Sequence, residues 1–153
     1  MAMAITLRKF LADQGIAYDI LSHSYTSSSH STAMAAKIPA NRIAKSVVLE
    51  DESGYVMAVI PATEHVKIGK LNQVVHRHLG LATEPELKDL FSDCSVGAIP
   101  PVGEAYGMDT VVDNSFDEDN DVYFEAGDHK DLIHVKGHSF HKLMRNAQHA
   151  QIC

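Results

Sequence analysis

Residues 45–60 constrain the fold more than any other segment. KSVVL at 45–49 and YVMAVI at 55–60 are runs of β-branched and apolar residues, and DESG at 51–54 has the composition of a hairpin turn. Two adjacent strands of this kind must be covered by other elements. Pro61 then ends the second strand, because it cannot donate to a ladder.

The remaining pattern supplies cover. Thr6 is placed to cap a helix running to about Gln14, with Ile5, Phe10 and Leu11 inward and Gly15 at its end. Residues 18–21 read as a short strand, and the Ser-rich stretch 22–31 as a loop. A short helix follows over 33–37, which Pro39 stops from extending. Residues 68–79 carry Ile68, Leu71, Val74, Val75 and Leu79 at helical spacing. Thr83 and Glu86 form a capping box for a helix over 84–91. Residues 94–107 hold three Gly and two Pro and cannot be regular throughout. Residues 110–112, 122–125 and 132–135 read as strands, and 139–147 as a final helix. Helices and strands interleave, and several strand pairs look like hairpins. The expected fold is therefore α+β: a single compact domain over 1–153, with a curved, mixed, mostly antiparallel sheet and flanking helices.

At 153 residues, of which 45% are hydrophobic and 22% charged, such a core needs no disulfide or structural metal. Cys94 and Cys153 form neither a disulfide framework nor a CxxC site, and they read as reduced thiols of a cytoplasmic protein. The first fifteen residues lack the apolar region of a signal peptide, and no run of 18 apolar residues exists. A net charge of −7 argues against general nucleic-acid binding. The charge is uneven, however. Residues 1–80 carry eight Lys/Arg against six Asp/Glu, and residues 81–153 carry five against fourteen. A local basic face built from Arg8, Lys37, Arg42, Lys45, Lys67 and Lys70 could take a nucleic-acid end. The acidic run 117–121 lacks the glycine and distal glutamate of an EF-hand and reads as a polar loop.

Two features could carry chemistry. Lys45 heads an apolar strand, where a lysine either snorkels to solvent or projects into a cleft as an anchor for phosphate or carboxylate. Gly97-Ala98-Ile99-Pro100 begins a stiff loop: glycine admits a close approach of backbone, and Pro100 and Pro101 fix φ. Such a loop can hold a carbonyl oxygen or a water in place. The ten histidines include His134, His138 and His141, but no recognised metal-binding spacing. No nucleophile elbow, P-loop or dinucleotide fingerprint is present. The residues alone lead to an α+β domain with one cationic cleft.

The ordered set IAKSVVL (43–49), YVMAVIPA (55–62), KIGKLNQVV (67–75), TEPEL (83–87), VGAIPPVG (96–103), VVD (111–113) and VYFEAGDHKDLI (122–133) resembles the YbaK/prolyl-tRNA-editing family over about residues 5–146. The resemblance implies a small pocket in a curved sheet and hydrolysis of the ester joining a small mischarged amino acid to tRNA. It implies that Lys45 holds the phosphate near the terminal adenosine. The Gly97, Ala98, Ile99 and Pro100 backbone would position the aminoacyl group and the attacking water. It implies no metal, no cofactor and no protein nucleophile. His30, Ser46, Pro61, Asp113 and His134 stand beside these as substrate-binding candidates. The acidic second half leaves two routes for the tRNA: contact limited to the acceptor end, or delivery by an aminoacyl-tRNA synthetase partner. Two other classes compete: a non-catalytic module that binds a ligand or a tRNA end, and a His-dependent metallohydrolase.

Overall fold

The computed structural model describes the backbone of residues 3–24 and 29–153, and the side chains of all of these except Ser29 and His30. In chain order the elements are α1 (Ile5–Asp13), β1 (Asp19–Ser22), α2 (Ser29–Ala36), β2 (Ile43–Asp51), β3 (Gly54–Pro61), α3 (Ile68–Val75), β4 (Gly80–Leu81), α4 (Glu84–Leu90), β5 (Asp109–Asp113), β6 (Val122–Glu125), β7 (Asp131–Val135), α5 (Gly137–Leu143) and β8 (Gln148–Ala150). Single 3-10 turns lie at Ala40–Arg42 and Gly103–Tyr106.

The β2–β3 hairpin is the centre of one mixed sheet, with strand order β1-β7-β6-β2-β3-β5-β8 and β4 attached to the end of β2. β2 and β3 pair antiparallel from Ala44↔Pro61 to Asp51↔Gly54. β5 joins β3 in parallel, and β8 joins β5 in parallel. β3 is buried from Val56 to Pro61 because both sheet faces are covered, which is why its sequence runs apolar without alternating. Met57 and Val59 pack with Leu7, Leu11, Phe91, Phe140 and Leu143 on one face. Val56, Ala58 and Ile60 pack with Leu71, Leu79 and Ile152 on the other.

The other edge of β2 positions the site. There β6 pairs in parallel only at Ile43↔Tyr123 and Ala44↔Phe124, and β4 pairs only at Leu49 and Glu50. Between these contacts, residues 45–47 have no strand partner on that edge among the described residues, and the sheet is open there.

Several local expectations change. Thr6 does not cap α1, whose N-cap is Ala4 without a side-chain bond. Instead the Thr6 N–H donates to the Asp93 carboxylate at 2.9 Å, so a remote loop caps the helix. Ile5 is 54% exposed rather than inward. α3 ends at Val75 because His76 takes a left-handed conformation (φ 57°) and the Asn72 side chain accepts the Leu79 N–H at 3.0 Å. The final helix stops at Leu143, and residues 148–150 pair with β5, whose exposed edge needed a partner. The Thr83/Glu86 capping box forms as expected.

Candidate active site

A cavity of about 130 Å³ occupies the opening between β2 and β6. Its walls are Ala44, Lys45, Ser46 and Val48 of β2, Glu125 of β6, Leu87 of α4, and Gly97 and Ile99 of the loop. Lys45, Gly97 and Ile99 thus share one cavity although more than fifty residues separate them in sequence.

The loop is held from three directions. Ser46 Oγ donates to the Ile99 carbonyl at 2.9 Å, tying it to the strand that carries Lys45. The Ser95 N–H donates to the Gly127 carbonyl at 2.7 Å. His129 Nε2 lies 2.6 Å from the Val96 carbonyl; a carbonyl only accepts, so this nitrogen carries the proton. Gly97 has φ +88°, a conformation that side-chain-bearing residues avoid, so glycine is required there by backbone geometry. Ala98 and Pro100 are buried behind the loop and fix it by packing, outside the cavity lining.

Lys45 is half-buried. Its ammonium donates one long bond, 3.5 Å, to the Ala62 carbonyl. Burial lowers its pKa from 10.5, opposed by the charges of Cys153 and Glu64. Among the described residues it has no ion-pair partner within salt-bridge distance. A partly desolvated cation without an ion-pair partner is suited to receive an anion.

The other candidates are placed as follows. Ser46 lines the cavity. Pro61 is buried opposite Ala44 in the hairpin and shapes the sheet behind the site. Asp113 is 4% exposed and accepts from the Ile152 N–H at 2.9 Å and the Ser115 N–H at 3.1 Å. Burial raises its carboxyl, but these bonds overcome that and hold it below the usual range. It thereby pins the residues that follow β8. His134 sits at the β1–β7 edge, 3.1 Å from both the Asp19 and Asp121 carboxylates, stacked on Tyr123. Neither Asp113 nor His134 is in the cavity lining. The His30 side chain lies outside the described residues. Among the described residues no group of three or more His, Cys, Asp or Glu could hold a metal ion, and no helix is long and apolar enough to cross a membrane.

Sequence reasoning passed over Glu125 and His129. Glu125 has a visible signal: a carboxylate inside the apolar run VYFEA. His129 has none, because its role depends on the turn after β6 meeting the loop.

A larger groove of about 580 Å³ lies between the end of α3, β5 and the α5–β8 connection. Its one permanent cation, Arg77, is committed to Asp51 (2.7 Å, Nε to Oδ2) and to the Gly54 carbonyl at 3.1 Å. It therefore offers no uncommitted permanent cation for a phosphate, whereas the smaller cavity does.

Residues 23–143 match the family model of the aminoacyl-tRNA editing domain. The chain belongs to that family. No curated protein sequence matches it significantly. Among solved structures, a candidate trans-editing enzyme for prolyl-tRNA synthetase superposes with a TM-score of 0.83 at 21% identity, covering 96% of this chain and 94% of that one. The hypothetical protein APE2540 gives 0.84 at 20% identity, covering 96% and 98%. A candidate signal-transduction protein from Marinobacter aquaeolei gives 0.78 at 19% identity; the match covers 99% of this chain but 31% of that one. At these identities the likeness is one of fold. The editing-domain fold is thus an eight-stranded mixed sheet among the described residues, with its candidate site at the opening beside the central hairpin.

Proposed function

We propose that this editing-domain protein is a trans-acting deacylase that hydrolyses the ester between a small mischarged amino acid and the 3′ end of tRNA. The observation that carries this reading is the shared cavity: an unpaired, partly desolvated ammonium on β2 and a glycine-proline loop, linked by the Ser46–Ile99 hydrogen bond. Lys45 serves as the electrostatic anchor for the phosphate beside the terminal adenosine. Gly97, Ala98, Ile99 and Pro100 present the backbone that orients the acyl group and the water. An aminoacyl ester is already activated, so fixing its geometry and stabilising the oxyanion can supply much of the rate enhancement. In double-sieve fashion, a rigid pocket shaped to a small side chain such as that of Ala, Ser, Cys or Thr would reject larger ones by clash. Neither a metal nor a protein nucleophile is needed in this scheme. The tRNA end is the partner; a synthetase is a second one if it delivers the tRNA.

A deacylation screen across mischarged tRNAs tests this reading. The expected result is release of a small amino acid from at least one of them. Stable binding to the panel without release would instead identify a binding module of the same fold.

A further inference from the structure

Glu125 is 4% exposed, yet it forms part of the cavity wall. The Thr32 hydroxyl donates to its Oε1 at 2.7 Å. Its Oε2 is buried and, among the described residues, has no hydrogen-bond partner. A buried acceptor left open is costly unless something else fills the role. Burial, opposed first by the Thr32 bond and then by His23 and His129, raises the pKa of this carboxyl, while Asp128 adds to the rise.

Its position follows from strand register. Tyr123 is opposite Ile43 and Phe124 is opposite Ala44, so the next rung would set Glu125 opposite Lys45 on the same face. The strands part at that rung. Among the described residues no salt bridge joins the two side chains. An anion precursor and a cation thus flank one small cavity without neutralising each other. That arrangement suits a ligand carrying a negative group at one end and a positive group a short distance away. The 3′ end of an aminoacyl-tRNA has both: the phosphate of its terminal nucleotide and the α-ammonium of the esterified amino acid.

We infer that Glu125 is a substrate-positioning residue whose Oε2 accepts a hydrogen bond from the α-ammonium of the aminoacyl group, with Thr32 holding the carboxylate in place. This rests on the deacylase reading of the cavity. It assigns the site a preference for a free α-amine over an acylated one, which the loop and Lys45 alone do not supply.

The test is calorimetric binding of 3′-deoxy-3′-(L-alanylamino)adenosine 5′-phosphate, in which an amide replaces the scissile ester, and of its N-acetyl derivative. Wild-type protein is expected to bind the free amine about tenfold to a hundredfold more tightly than the N-acetyl compound. Glu125→Gln is expected to weaken binding of the free amine by about that factor and so abolish the preference. A wild-type protein without the preference overturns the inference whether or not the variant folds. So does a Glu125→Gln protein that keeps the preference, or one that weakens both compounds equally, since that marks a purely structural carboxyl. Lys45→Ala separates the two levels. If it weakens both compounds while the amine preference is absent from wild type, the cavity reading stands and the Glu125 role falls. If neither compound binds wild-type protein, the cavity reading falls and takes this inference with it.

Discussion

At the scale of single residues the site depends on a few groups whose conformation or charge is set by neighbours. Gly97 at φ +88° is one. Gly97→Ala should cost about 1 to 2 kcal/mol, because a side chain disfavours the left-handed region. It should lower deacylation more than stability, since the strain is relieved by moving the loop. Urea denaturation and a rate measurement on the same preparation would separate the two effects. Lys45 is another. Burial holds its folded-state pKa below 10.5, so the ammonium loses its proton earlier on the way up than an ordinary lysine. Affinity for an acceptor-stem minihelix should therefore fall on the alkaline side, below the pH at which a free lysine titrates. The charges of Cys153 and Glu64 oppose that shift. Lys45→Arg should remove the alkaline fall by keeping its charge; an unchanged profile would show that Lys45 does not bear on binding. Lys45 and the glycine-proline turn stand out in sequence because each breaks a pattern: a charge in an apolar strand, and three glycines and two prolines in fourteen residues. Glu125 breaks the pattern of β6 in the same way. His129 was not legible, because its partner Val96 is 33 residues away and only the closed fold joins them.

Among the elements, those with strong local codes are the ones that sequence predicts. The β2–β3 hairpin, the Thr83–Glu86 capping box and β6 are read from composition and spacing. The capping box also reaches into the sheet, since the Tyr55 hydroxyl donates to Glu86 at 2.6 Å. Thr83→Ala should destabilise the protein by about 1 kcal/mol, read from the shift of the urea midpoint. It should leave catalysis unchanged, because α4 touches the cavity only through Leu87. Elements set by tertiary contact were harder to place. α1 borrows its cap from Asp93, β8 forms because β5 needs a neighbour, and the two-residue β4 is too short to carry a period. The opening between β2 and β6, where the cavity lies, has no sequence signature at all. It results from where two strands cease to pair.

For the whole molecule, the net charge of −7 limits how nucleic acid is bound. A protein with an acidic second half is poorly suited to wrapping a tRNA; on the proposed reading it would hold only the acceptor end. If two or three phosphates of the single-stranded terminus are neutralised, the logarithm of affinity should fall with the logarithm of salt concentration with a slope of about −2. A much steeper slope in an anisotropy titration would mean an extended docking face. The fold itself does not decide among functions, because it is also found within the longer candidate signal-transduction protein. The decision rests on the cavity. The most direct measurement is the rate of amino-acid release from the best mischarged tRNA by wild type and by Lys45→Ala, with thermal melting of both. The account predicts release by wild type, loss of about a hundredfold or more in the variant, and the same melting temperature. Undiminished release by a folded Lys45→Ala protein would contradict it.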